Sequence, residues 1–279
     1  MSASDSQGAG HTPTLSVLLR VRDEEEMLPA CLSRLDFADE IIAIVDDRTI
    51  DRSVEILTQA GAEIIMVSFE HVGGFGGMGS VGHDAARSDW VFLLDADERV
   101  SQDLAKEIRR AIAEPFDGLR VPIANYFHAV LMEFGGWQEH PTRLWRRGAA
   151  RTTGAIHDDR PKFNVENPRI GDLREPLHHF SHRSVIDNLA KSTNYVEIQA
   201  RALLATGAPP VSRWRLLWTL IREIGFRLVL RQGWRDGVAG VYESLYWPFS
   251  HMCAQARLWE LQRTPTIDTQ YLELEDTTR

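Results

Sequence analysis

Asp95 and Asp97 close the run Trp90-Val-Phe-Leu-Leu-Asp-Ala-Asp-Glu-Arg99, an apolar stretch that ends abruptly in three acids. On an extended chain, residues two apart point to one side, which predicts two hard oxygen donors facing one Mg2+ or Mn2+. Two carboxylates are few for a cage made by protein alone and suit an ion whose shell is completed by a nucleotide diphosphate. The same acids also fit a plain strand-end turn, or a cap for a helix starting after Ser101.

The elements that must position these acids follow from hydrophobic periodicity. Leu15–Val21, Glu40–Val45, Glu63–Val67 and Trp90–Leu94 read as strands. Helical spacing follows each of them, over Glu24–Leu35, Asp51–Gln59, Val81–Arg87 and Gln102–Ala113. Four strand–helix units predict an α/β fold with a parallel sheet, in which ligands collect beyond the carboxyl ends of the strands. Arg22, Asp23 and Glu24, Asp46 and Asp47, and Asp95, Asp97 and Glu98 all fall there. Five of these eight are acids of the second and fourth strands, and gathering them calls for a counterion or nucleotide.

Composition narrows the function classes. A net charge of −9 argues against a nucleic-acid partner, whose phosphates are bound by clustered Lys and Arg. Cys31 and Cys253, far apart and without CxxC spacing, point to neither a disulfide framework nor a zinc knuckle, and fit a reducing compartment. Residues 1–13 read as a polar, disordered tail and not as a signal peptide. No apolar run is long enough to span a bilayer.

Four ordered stretches resemble glycosyltransferase family two: Leu15-Ser-Val-Leu-Leu-Arg-Val-Arg-Asp-Glu-Glu25, Ala38-Asp-Glu-Ile-Ile-Ala-Ile-Val-Asp-Asp47, Asp51-Arg-Ser-Val-Glu55 and Asp89–Arg99. The likeness is to the lipopolysaccharide-core glucosyltransferase-like branch. It continues through Gly135-Gly-Trp137, Arg143-Leu-Trp-Arg146, Ile156-His-Asp158 and Leu177-His-His-Phe-Ser181. It implies a GT-A fold, a Rossmann-like mixed sheet with a C-terminal helical extension. The catalytic domain would be 14–182, with 14–115 as its nucleotide-binding half and 116–182 as its acceptor half, and 183–279 would be helical. The implied activity is metal-dependent, inverting transfer of a sugar from a nucleotide-sugar donor, a UDP-sugar by this likeness. The acceptor would be a saccharide or lipid-linked saccharide of the cell envelope, and the protein cytoplasmic, peripheral on the inner face of the membrane. A peptide or small-molecule acceptor is an alternative, as is a nucleotidyltransferase, although those enzymes carry a basic Gly-rich loop where this chain has Arg22-Asp-Glu-Glu-Glu26.

Carried onto this sequence, the likeness implies that Val21, Arg22 and Glu24 border the nucleoside and that Asp46 receives the base. A carboxylate there accepts the imide N–H of uracil and favours uridine over cytidine. Asp95, Ala96 and Asp97 would meet the donor, with Asp95, Asp97 and His157 on the metal. Inversion needs one base on the acceptor hydroxyl. Glu139 holds the family's acidic position after Gly-Trp, and Asp158 is the second candidate. Arg143 and Arg146, taken as one face of a strand, could bind a phosphate. His178, His179 and His182 lack the further spaced ligands that zinc would require. The run Gly73-Gly-Phe-Gly-Gly-Met-Gly79 departs from the family's usual cationic segment and reads as backbone approaching the donor or as a flexible loop.

Helices are expected over 183–205, 211–231 and 237–262. On a helical projection Trp214, Leu217, Trp218, Ile221 and Leu228 share one face, flanked by arginines, which predicts helices lying on a membrane surface or, alternatively, packed on the catalytic domain.

Overall fold

The structure, a computed structural model, describes residues 11–152 and 160–263. Its elements run β1 (Leu15–Val21), α1 (Leu28–Leu32), β2 (Glu40–Asp46), α2 (Ser53–Gln59), β3 (Glu63–Val67), α3 (Phe75–Ala85), β4 (Trp90–Asp95), β5 (Glu98–Arg99) and α4 (Gln102–Ala111). Short strands follow: β6 (Gly118–Arg120), β7 (Ile123–Phe127), β8 (Val130–Leu131), β9 (Thr142–Arg146), β10 (Ala150–Arg151), β11 (Lys162–Phe163), β12 (Ile170–Asp172) and β13 (Leu177–His182). The last helices are α5 (Val185–Ala205), α6 (Arg213–Ile224) and α7 (Gly237–Leu261), with a π-helical turn over Gly225–Leu230 and a 3-10 turn over Gly233–Asp236.

These elements form two compact units, the first built from residues up to Ala124 and from Glu139 to His179. Asn125–Gln138 and the residues from Phe180 onward form the second.

In the first unit a seven-stranded sheet has the order β12-β6-β9-β4-β1-β2-β3. β3, β2, β1 and β4 are parallel, whereas β9 runs antiparallel to both β4 and β6. Every residue of β1 is buried, as expected of a central strand covered on both faces. Alternation divides them: Leu15, Val17, Leu19 and Val21 join Leu28 of α1, Leu57 of α2 and Leu104 and Ile108 of α4 in one core, while Leu18 faces α3. α1 is shorter than its periodicity predicts, because Glu24–Met27 form turns ahead of it and Pro29 sits in its first turn.

The glycine run divides between a turn and a helix: Gly73 and Gly74, with φ of 84° and 86°, form the turn that leads into α3. Gly76, Gly77 and Gly79 are buried in the first turns of α3, where a Cβ on Gly77 would fall 1.6 Å from the Val72 carbonyl oxygen. Farther along, a Cβ on Gly82 would lie 2.6 Å from Cδ1 of Ile44 on β2. Small residues here let the helix lie close on the sheet. Gly82→Ala is expected to cost about 1–2 kcal/mol, since overpacking outweighs the gain in helix propensity. Thermal denaturation should show Ile44→Val restoring most of that loss, and a Gly82→Ala variant more stable than its parent would mean a looser contact than the one described.

The second unit packs α5 and α6 against α7. Buried Glu243 of α7 accepts, on one carboxylate oxygen, from His128 Nε2 at 3.1 Å, His182 Nδ1 at 3.0 Å and Asn188 Nδ2 at 3.3 Å. His128 and Ala129 form the two-residue loop between β7 and β8 with φ of 53° and 62°, the left-handed pair of a type I′ hairpin. Neither residue is the glycine or asparagine usual there, and the bond from His128 to Glu243 helps to hold the turn.

Candidate active site

The carboxyl ends of β1 and β4 are tied together by charge. Arg20 is register partner to Asp95 on the neighbouring strand, and its Nε and Nη2 donate to the two Asp95 oxygens at 2.7 Å each. Its guanidinium lies 5.3 Å from the centre of the Phe75 ring. Arg143 of β9 stands 3.8 Å from Asp95 and donates to Glu98 at 3.0 Å, while Glu98 accepts the Asp95 backbone N–H at 2.9 Å. Burial alone would raise the Asp95 carboxyl, but Arg20 and then Arg143 hold it down, at about 2. Glu98 is wholly buried and moves the opposite way: its burial outweighs the help of Arg143.

The strand alternation from which same-side carboxylates were expected stops at Asp95. β4 ends at Asp95 and the chain turns through Ala96 and Asp97 before β5, so strand alternation no longer governs where the two carboxylates point. Asp95 grips Arg20, whereas Asp97 Oδ1 lies 3.5 Å from Nε2 of His179. β13 pairs antiparallel to β5, with His179 opposite Glu98, and that register delivers the imidazole. Burial would lower the His179 pKa, yet the hydrogen bond and charge of Asp97, reinforced by Glu98 and Asp95, lift it to about 9. Neither acid caps α4, which takes its cap from Ser101 Oγ at 3.0 Å from the Leu104 N–H. Buried Ala96 and the half-buried Arg99, which donates to the carbonyls of Ala96 and Met27, fix the turn against the start of α1.

Asp46, at the end of β2, is 1 % exposed and lies under arginines. Arg48 donates to it from its backbone N–H at 3.1 Å, from Nε at 3.0 Å and from Nη2 at 2.8 Å, and Arg22 approaches to 3.6 Å. Burial opposes ionisation, but these bonds and charges overcome it and depress the Asp46 pKa. Val21 is buried beside this end, and the Glu24 N–H donates to Ser53 Oγ at 2.9 Å, tying the loop after β1 to α2. Asp23 takes φ of 51° there and accepts the Ile50 N–H.

Arg143 and Arg146 do not share a face, since residues three apart on a strand point to opposite sides. Arg143 meets Asp95 and Glu98, while Arg146 lies 5.1 Å from the Trp90 ring centre and donates to the Phe116 carbonyl. Glu139 is exposed, its carbonyl accepting the Ile123 N–H at 2.9 Å next to β7. His157 and Asp158 lie outside the described residues. The residues missed in the sequence are Arg20 and His179. A charged residue inside an otherwise apolar strand was the available signal for Arg20; nothing in the spacing of His178, His179 and His182 foretold which would meet Asp97.

Residues 16–163, more than half of the chain, match the pattern of glycosyl transferase family 2. The chain belongs to this family. It is a glycosyltransferase, and its mixed, mostly parallel sheet is the GT-A architecture. Among curated proteins it is 27% identical to the lipopolysaccharide core biosynthesis glycosyltransferase LpsC of Rhizobium meliloti, over 91% of this chain and 96% of that one. It is 25% identical to an uncharacterized glycosyltransferase of Rickettsia bellii, over 94% and 92%. Of solved structures, S. aureus TarS 1-349 in complex with UDP-GlcNAc aligns with a TM-score of 0.45 at 12% identity, over 89% of this chain and 90% of that one, too remote to bear on individual residues. In this glycosyltransferase the family match takes in Arg20, Asp46, Asp95, Asp97 and Arg143 but stops short of His179.

Proposed function

We propose that this glycosyltransferase takes a sugar from a uridine-diphosphate donor bound at the carboxyl ends of β1, β2 and β4 and passes it, with inversion, to a hydroxyl of a saccharide or lipid-linked saccharide. The observation that carries this reading is the pairing of Asp97 with His179 beside an Asp95 held by Arg20. Adjacent donors around a cation with bonds of about 2.1 Å stand roughly 3 Å apart. The 3.5 Å between Asp97 and His179 therefore fits one carboxylate and one imidazole on a single Mg2+ or Mn2+, provided the ion takes the place of the proton that His179 holds against Asp97. Among the described residues no group of three or more such side chains could hold a metal, and the rest of the shell would come from the donor diphosphate, water and His157, which lies outside those residues. Bound there, the ion would neutralise charge on the departing diphosphate.

This chain's own residues then have separate tasks. Arg20 keeps Asp95 ionised and immobile, which fixes the turn that presents Asp97. Asp46, kept ionised beneath Arg48, is an acceptor and matches the imide N–H of uracil, with Arg48 as the cover that the base displaces. In the transfer, the acceptor oxygen bonds to the anomeric carbon as the bond to the diphosphate oxygen breaks, and the hydroxyl proton goes to a carboxylate. We assign that role to Glu139, with Asp158 second. The acceptor class rests on the likeness to the Rhizobium relative, whose name places it in lipopolysaccharide core biosynthesis.

A screen of nucleotide sugars for released nucleotide tests the donor: UDP-sugars should turn over and CDP-sugars should not. Glu139→Gln is expected to lower transfer by about a hundredfold or more with UDP affinity changed only a few-fold, because the base acts on the acceptor. Equal loss of UDP binding would remove Glu139 from that role, and the same measurement on Asp158→Asn would decide for the second candidate.

A further inference from the structure

We infer that α6 and the π-helical turn after it form a docking face for an anionic lipid surface, an inference that does not rest on the sugar-transfer reading. No residue of α6 is buried. Trp214, Trp218 and Ile221 are 68%, 65% and 62% exposed, and Leu217 is about half exposed beside them. Large aromatic and aliphatic groups at spacings of three and four on one helix face are ordinarily the part that packs inward. In this structure they point out of the helical unit.

The stripe continues past α6, with a change of register. An α-helical projection carries it to Leu228, which is only partly exposed. Gly225–Leu230 is instead a π turn, which accommodates one more residue than an α turn, and Val229 and Leu230 emerge at 64% and 74% exposure.

Charge complementarity identifies the occupant. Although the chain carries a net charge of −9, Gln199–Arg235 holds seven arginines and one acid, Glu223. Arg213 lies 5.4 Å from the Trp214 ring centre and Arg231 lies 5.2 Å from that of Phe226, so exposed guanidinium groups border exposed apolar ones along the same stretch. Aromatic and aliphatic side chains at the acyl boundary with arginines at headgroup phosphates are the chemistry of a helix lying in a membrane interface. Among the described residues no helix is long and apolar enough to cross a bilayer, which leaves surface binding as the mode for this face.

The test is co-sedimentation of the full chain with vesicles of phosphatidylcholine alone or with a third of phosphatidylglycerol, at low and high salt. Binding is expected only to the anionic vesicles, with release by salt, and Trp emission should be quenched by brominated acyl chains. Arg213→Gln with Arg231→Gln should lower the partition coefficient about thirtyfold, from roughly fivefold per basic residue. Trp214→Ser with Trp218→Ser should lower it at least about tenfold. Both side chains of each pair are exposed, so the fold should persist, and circular dichroism checks this. Absence of binding to anionic vesicles at low salt would overturn the proposal. So would a dimer in solution that the Trp replacements split, or a red shift of Trp emission on removal of residues 264–279, since either would assign the face to another occupant.

Discussion

Asp97→Asn and His179→Ala are each expected to lower sugar transfer by about a hundredfold to a thousandfold, the scale of losing one electrostatic stabiliser of a developing charge. Both act through one ion, so the double variant should fall little below either single one, a non-additivity that independent contributions would not give. Chelation should bring the parent protein to the same low level, and Mn2+ should restore the parent but not the variants. Binding supplies a readout apart from activity. Mn2+ with UDP should raise the melting temperature of the parent, by the equivalent of about 2.7 kcal/mol at a hundredfold excess over Kd, and of neither variant. Removing either partner also strands the other, largely buried charge, so both variants should melt lower without ligand, and the readout is the shift that Mn2+ with UDP adds to each protein's own melting temperature. Normal, metal-independent transfer by Asp97→Asn would end the proposed mechanism. Loss in His157→Ala with none in His179→Ala would return the imidazole role to the residue that the family likeness singled out.

Arg20→Met should destabilise the protein by about 3–5 kcal/mol, the cost of removing one partner of a buried ion pair while the other charge remains. Arg20 is 7% exposed and gives Asp95 two bonds of 2.7 Å, so Arg143 at 3.8 Å cannot replace it. The dependence on pH follows from the depressed Asp95 pKa. The ordinary value is 3.8 and the folded value about 2, so the stability conferred by ionised Asp95 is present above pH 3.8 and lost as pH falls toward 2. Because the variant lacks that contribution, its deficit should be full at neutral pH and should narrow below about pH 4, where Asp95 can accept a proton. Adding Asp95→Asn to Arg20→Met should recover part of the loss. Urea denaturation at pH 7 and pH 3.5 measures both effects, and a deficit equal at the two values would mean that Arg20 stabilises through packing on Phe75 and not through Asp95.

Much of the nucleotide-binding half was legible in the order of residues. Buried parallel strands are continuous apolar runs, and the bounds read for β1, β2, β3 and β4 fall within a residue of those observed. The acids after those runs had to lie at the carboxyl ends of the strands, and they do. Gly76, Gly77 and Gly79 were read as loop or donor-facing backbone because glycine is permissive in any conformation, whereas here they are buried in the first turns of α3, Gly77 against the Val72 carbonyl and Gly79 against Thr152.

Pairing across distance was decided only by the tertiary structure. Strand periodicity says which side a residue faces but not which strand lies beside it, so it could not bring Arg20 to Asp95 or His179 to Asp97. Those contacts depend on the registers of β1 with β4 and of β13 with β5, which join residues 75 and more than 80 positions apart. The π turn at Gly225–Leu230 makes the same point about a helix. Its apolar residues were visible in the sequence, but which of them face outward depends on a backbone hydrogen-bond shift that amphipathic periodicity does not encode.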